Sequence, residues 1–471
     1  MTVLPLCGSL VAGAAVAHGS PGEDDQLDGA VFAGVTAPHP GNIVGNPAAL
    51  LRLPAGVHLF LDGALRFERL DIDRLQLDPA TGAASPAGAV AASVPDGGGT
   101  AGVVWRRAST AFAASLGWRT ADGTIDRDAT AYQSKGDRAR RLEGTVSFSL
   151  NPLRWLDLGL SVGYAWQRRQ LGFDRDTALE AGSDPTRGIG SDCGGVACGF
   201  EHPLARERWQ LDVTPDLFTD NLTYRIGVMA EPARNLWIAL ATERPWRLDA
   251  SVYGGTATVT AAPRDGGAVR TGRASIGISQ PVIWRLGVRG RIRPGWDALG
   301  ELRLRQLDRV GGYALHTFGG DLAAGGVPEW YPRPRGLENA WAGWVGLEQV
   351  DDGRAARFGF GLGGDTGATR PAALSAMSPW AAEVGATAGA QIRLRPRWTL
   401  QLGGQVRYQL PTSTGASAYD PLDRVACVDS GYDRDLPACA TVRAGYGLPT
   451  AAGDYRRTTL LANLGLRIQL R

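Results

Sequence analysis

The side chains able to do chemistry are few and scattered. Five histidines stand at positions 18, 39, 58, 202 and 316 in a chain of 471 residues. No His-x-x-x-His spacing, Ser/His/Asp set or phosphate-cradling glycine loop accompanies them. His202 and His316 fall in irregular stretches without an evident nucleophile, so an enzyme is not expected. The cysteines beyond Cys7 form two local groups, Cys193 with Cys198 in Cys-Gly-Gly-Val-Ala-Cys, and Cys427 with Cys439. Proximity and a secreted location point to a disulfide within each group. Pairing across the groups and a zinc site stay open as alternatives, with no histidine beside either pair to favour the metal. The neighbouring acids (Asp174, Asp176, Asp184, Asp192, Asp429, Asp433, Asp435) lack the spacing of a calcium loop. No metal and no cofactor is expected.

Arginines are the richer signal. Arg285, Arg289, Arg303 and Arg305 recur on one parity of alternating stretches, as do Arg291, Arg407, Arg467 and Glu301. Guanidinium groups there could hold a ligand carboxylate by bidentate hydrogen bonds. They could equally pair with Glu301, Glu348, Glu383 and the N-terminal acids Glu23, Asp24 and Asp25. The second reading is preferred, because polar barrel interiors carry such networks whatever passes through them.

The elements that must position these side chains are strands. From Trp398 to Leu410 one parity reads Trp398, Leu400, Leu402, Gly404, Val406, Tyr408, Leu410, and the other Thr399, Gln401, Gly403, Gln405, Arg407, Gln409. Side chains alternate faces along a strand, so one face is apolar with an aromatic near each end. That pattern suits a strand crossing a bilayer between aromatic girdles. It repeats at 156–170, where Leu156, Leu158, Leu160, Val162, Tyr164 and Trp166 share a face, and again at 458–470. The full reading has fourteen strands: 57–73, 101–107, 111–120, 139–150, 156–170, 220–231, 235–253, 271–292 (with Pro281 as a bulge or break), 296–308, 339–350, 354–364, 380–394, 398–410 and 458–470.

Loop lengths support it independently. Connections 74–100, 121–138, 171–219, 254–270, 309–338, 365–379 and 411–457 are long, and those between them span a few residues. Long extracellular loops alternating with short periplasmic turns are the rule for transmembrane barrels. Trp155, Trp237, Trp296 and Trp398 fall at or just after the short turns, where a periplasmic belt belongs. The mean hydropathy of −0.13 and the absence of a long apolar run exclude a helical membrane protein. The net charge of +2 and a single lysine, Lys135, leave no basic block for nucleic acid. Residues 4–17 are apolar and end Ala15-Val16-Ala17, which reads as a signal peptide over 1–17.

Residues 18–56 are irregular and include Gly45-Asn-Pro-Ala-Ala-Leu50. Asn46-Pro47-Ala48 just before the first strand, the Asn151-Pro152 turn and the strand order together resemble the FadL-like outer-membrane long-chain fatty acid and hydrocarbon transporters. The chain departs from that pattern in ending on Leu470-Arg471 rather than on an aromatic residue. The resemblance implies a hatch at 18–56 that plugs the lumen of a barrel at 57–471, with Asn46, Pro47 and Ala48 positioning the hatch against a kink in the third strand. It implies passive uptake of hydrophobic small molecules with lateral exit beside that strand, for which Phe112, Leu116 and Gly117 are the candidates. The expectation is an all-β, 14-stranded antiparallel transmembrane barrel, monomeric, in the outer membrane of a Gram-negative cell, in contact with lipid and a hydrophobic ligand. A secretion-system adaptor of the same fold and a polar-solute porin are the competing readings.

Overall fold

The computed structural model describes residues 31–77, 83–122, 130–132, 134–177, 201–215, 221–246, 251–308, 312–350, 353–376, 378–415, 417 and 450–470. The expected signal peptide, the four cysteines expected to pair (Cys193, Cys198, Cys427, Cys439) and Glu23, Asp24 and Asp25 lie outside the described residues.

Five long strands come first: β1 (Gly56–Leu77), β2 (Ala84–Arg106), β3 (Thr110–Asp122), β4 (Gly136–Leu153) and β5 (Leu156–Asp176). Then follow β6 (Arg206–Pro215), β7 (Leu222–Ala233), β8 (Leu236–Pro245), β9 (Ser251–Thr260) and β10 (Val269–Ile278). The next group is β11 (Val282–Arg293), β12 (Trp296–Gln306), β13 (Gly312–Phe318), β14 (Trp330–Pro334) and β15 (Ala340–Gln349). The last is β16 (Ala356–Asp365), β17 (Glu383–Arg395), β18 (Trp398–Gln409), β19 (Thr412–Thr414) and β20 (Gly453–Leu470). Neighbouring pairs are antiparallel, and β20 closes on β1 from Val57↔Leu470 to Arg74↔Gly453. The closed cylinder runs β1–β5, β7, β8, β11, β12, β15–β18 and β20, fourteen strands in all. Closure removes the unpaired sheet edges that would otherwise need protection.

The turns at the end nearest the chain termini are tight. Asn235 (φ 62°) and Gly295 (φ 77°) supply the left-handed residues of the β7–β8 and β11–β12 turns, a conformation most residues avoid. The Asn151-Pro152 pair lies inside β4 at a bulge between Leu150 and Leu153, rather than in the turn itself. Asn151 still fixes that turn, donating from Nδ2 to Leu156 O at 3.1 Å and to Asp157 Oδ1 at 2.6 Å.

The outer face is apolar. Leu59, Leu61, Leu65, Val146, Leu160, Val345, Leu362 and Leu464 are all exposed on it. Trp105, Phe112, Phe148, Trp155, Phe358 and Trp398 ring it near the tight turns, and Trp118, Trp166, Trp246, Trp341 and Tyr408 near the other end. An apolar band between two aromatic rings is the surface a bilayer solvates. Trp237 is a correction to the expected belt: it points inward and packs with Val35, Ala48, Ala49, Met229 and Ala239.

Three stretches differ from the sequence reading. Residues 84–100 pair with β1 as the upper half of β2, not as a loop. Their Gly, Ala and Pro residues carry little side-chain alternation, and the backbone ladder alone decides the structure. Pro86 and Pro95 fall outside the part of β2 that β3 reaches, which begins at Asp96, so each needs only one neighbour. Residues 235–253 and 271–292 each split in two, the second at 279–281 beside Pro281. Finally, the expected loops contain a second sheet. The top of β5 pairs with β6, and β6–β9–β10–β13–β14 continue from it. This tower has its own core of Phe173, Trp209, Tyr253, Ile276, Leu315 and Tyr331 among others. Phe173, Trp209 and Tyr331 stack mutually at 5.6–5.8 Å, and Arg333 lies 3.9 Å from the Phe173 ring centroid.

Candidate functional site

Residues 31–55 lie inside the cylinder, and short-range chemistry explains why. Asn46 caps the turn Pro47–Arg52, its Oδ1 accepting from Ala48 N at 3.2 Å, and Pro47 sits where a missing N–H is harmless. The Asn46 amide donates to Val35 O at 2.8 Å, so one fully buried side chain ties two parts of the segment. The barrel wall makes room. A Cβ on Gly227 would stand 1.9 Å from Asn46 Oδ1, and one on Gly159 would stand 2.3 Å from Ala48 N. Ser149 Oγ donates to Pro47 O and Ser161 Oγ to Ile43 O, both at 2.7 Å. Asn46-Pro47-Ala48 is therefore seated on β4, β5 and β7. Replacing Asn46 by alanine would leave Val35 O and Ala48 N buried and unpaired, costing about 1–3 kcal/mol for each orphaned group. A lowered urea midpoint with the same strand content would register it.

Carboxylates hold the rest of the segment. Glu348 Oε1 accepts from Phe32 N at 2.5 Å and Glu301 Oε2 from Val35 N at 3.0 Å. Arg52 bridges Asp157 at 2.6 Å and Glu231 at 2.9 Å. Glu301 was expected to pair with arginine, and instead it serves an inner-segment amide.

The four singled-out arginines are occupied by the wall. Arg285 meets Glu243 at 3.5 Å, and Arg289 pairs with Asp297 at 3.1 Å and with Glu348. Arg305 pairs with Asp365, and Arg303 is buried with a partner of its own. Removing one member of such a buried set leaves charge without compensation. Arg289→Met should therefore lower stability by about 3–5 kcal/mol, read as lost heat resistance of the folded barrel on a gel. Asp174 and Asp176, expected as solvated loop acids, are buried at the top of β5. Asp174 meets Lys135 at 3.2 Å and Arg206 at 3.5 Å, and Asp176 accepts from Glu201 N at 2.6 Å. Among the described residues no group of acids, cysteines and histidines is arranged to hold a metal ion.

A cavity of about 950 Å³, counted to its open mouth, lies between the inner segment and the wall. Gly41 and Val44 form its inner side, and Asp62, Thr100, Ser115 and Gly117 of β1–β3 its outer side. Arg141, Glu143, Gln401 and Asn463 complete it. The three third-strand candidates separate here. Gly117 faces the cavity, whereas Phe112 and Leu116 are exposed on the apolar outside. β3 is not kinked: residues 110–122 pair without a register shift to β4, and 111–121 to β2. A second, smaller cavity higher up is lined by Arg66, Arg305, Arg407 and Arg457 with Asp365 and Glu383. The supporting residues Gly159, Gly227, Ser149 and Ser161 escaped the sequence reading. Their one signal is a run of small residues on the inward parity, which nothing in sequence matches to a particular occupant.

A closed antiparallel cylinder of fourteen strands, apolar outside and holding residues 31–55 within, defines the class: a closed β-barrel. Its shape is similar to that of a Pseudomonas aeruginosa FadL homologue, with TM-score 0.69 and 13% identity over 95% of this chain and 98% of that one. It is similar also to the P. putida toluene transporter TodX (TM-score 0.62, 13% identity, 92% and 94% covered). The Ralstonia pickettii toluene transporter TbuX gives TM-score 0.57 at 13% identity, with 92% and 94% covered. No protein-family model and no curated protein matches the sequence. The chain has the FadL-type fold.

Proposed function

We propose that this chain is an outer-membrane channel for passive uptake of hydrophobic small molecules. The observation that carries the reading is the cavity between β1–β4 and residues 31–55, which fill the lumen beside it. A water-filled pore would need that space open; an apolar solute needs only a pocket and a way sideways. Long-chain fatty acids and hydrocarbons are the substrate classes, and the solved likenesses named as toluene transporters agree with the second. Residues 18–56 act as the hatch, with Asn46, Pro47 and Ala48 as its seat. Cargo enters from the tower side and leaves through the wall between β2 and β3. There Gly99 faces Trp118 and Thr100 faces Gly117, and the Trp118 ring covers Gly99. Because β3 is paired on both sides, exit requires these strands to part transiently.

The test uses intact Gram-negative cells, whose lipopolysaccharide leaflet slows apolar solutes. Expression of the chain should raise the initial uptake rate of labelled toluene several-fold over empty vector. An unchanged rate, with the barrel folded in the membrane, would refute uptake. Co-purification of a secreted protein in place of uptake would favour the adaptor.

A further inference from the structure

We infer that the large cavity selects an uncharged ligand bearing a hydroxyl donor, such as a long-chain alcohol or a phenol, over a carboxylate. This rests on the uptake reading and specifies its cargo. The cavity wall carries two buried acceptor atoms without a hydrogen-bond partner, Asp62 Oδ2 and Asn463 Oδ1. Buried acceptors left unpaired are costly, and a donor that reaches them is favoured. The near neighbour of Asp62 does not fill the role. Gly41 N donates to His39 Nδ1 at 2.8 Å, which places the ring proton on Nε2. That Nε2 stands 3.9 Å from Asp62 Oδ2, beyond hydrogen-bond reach. A ligand hydroxyl that reaches Asp62 would donate to it.

A carboxylate meets the opposite situation. Each guanidinium lining the cavity already has an acid partner: Arg119 bonds Asp96 at 2.5 Å and Arg141 bonds Glu143 at 2.7 Å. Arg225 adds a second bond to Glu143 at 2.9 Å, and Arg467, the cation that offsets Asp62, donates to Gln401. An ionised headgroup would lose water and face the oxygens of Asp62 and Glu143, with like charges in a poorly solvated space. Hydroxyls of Thr100 and Ser115 line the same wall and suit a neutral polar group equally well.

Equilibrium dialysis of the full chain in amphipol at pH 8 tests this with three labelled probes: 1-decanol, its methyl ether and decanoate. The expected order is decanol tightest, the ether weaker by about tenfold for its missing donor, and decanoate weakest. Asp62→Asn should narrow the gap between the two, improving decanoate several-fold and weakening decanol, whose hydroxyl loses its carboxylate acceptor. Gly117→Phe, whose side chain would fill the cavity, should abolish decanol binding and so locates the site. Decanoate binding as tightly as decanol, or the ether equalling decanol, overturns the selectivity while leaving uptake intact. Absence of saturable binding by all three overturns the uptake reading and this one with it.

Discussion

Gly227→Val is expected to turn an electrically silent barrel into one that conducts ions steadily. Gly227 lies on the inward parity of β7, and its missing side chain is where Asn46 sits, with Oδ1 1.9 Å from the position of a Cβ. Neither partner can yield locally. The wall is held by ladders to β5 and β8, and Asn46 is fixed by Val35 O and Ala48 N. Overpacking of this kind costs about 1–3 kcal/mol, and displacing Asn46 adds the penalty of its orphaned partners. The β1–β2 and β1–β20 ladders alone hold 40 residue pairs, so the inner segment should leave before the cylinder opens. Gly159→Val should act alike through Ala48 and Pro47. The measurement is planar-bilayer current: silent for the native chain, steady for the variant, with unchanged circular dichroism. A silent variant would mean that the inner segment tolerates the intrusion.

The second large effect concerns the tower. Trp209 is fully buried, stacked on Phe173 and Tyr331, and its Nε1 donates to Glu207 at 2.6 Å. Trp209→Ala should destabilise this sheet by about 3–5 kcal/mol. The tower has a hydrophobic core of its own, separate from the buried clusters of the cylinder, so the loss should stay local. Hydrogen exchange is expected to quicken in β6, β9, β10 and β13 and to stay slow in β16–β18. Uniform acceleration would show that tower and cylinder unfold as one unit.

The cylinder was legible in sequence because a bilayer imposes a rule on it. Residues such as Leu400, Leu402 and Val406 must be apolar on every second position, and no tertiary accident can relax that. The strand count followed from the same rule. The tower obeys a different one: Phe173 and Trp209 come from one expected loop (171–219) and Tyr331 from another (309–338), and their alternation is short and interrupted. The glycine-rich half of β2 failed for a related reason, since Gly97, Gly98 and Gly99 have no side chains to alternate. At the site, Asn46-Pro47-Ala48 could be singled out by its resemblance to the FadL-like pattern, whereas its seat on Gly159 and Gly227 depends on how strands far apart in sequence close. The arginines were visible as interior residues, and the preference for internal pairing holds for Arg289 and Arg305. Asp62 and Asn463 carried no sequence signal, because an unpaired acceptor exists only once the wall has formed around it.

Locating a heavy-atom-labelled ligand bears on the account most directly. In a crystal of the full chain grown with 10-bromo-1-decanol, the anomalous bromine peak should fall inside the cylinder. Electron density should run from there to a hydroxyl at Asp62. A bromine peak found solely on the tower or on the outer apolar band, with the cavity holding only water, would contradict the claim that this barrel carries hydrophobic cargo through its wall.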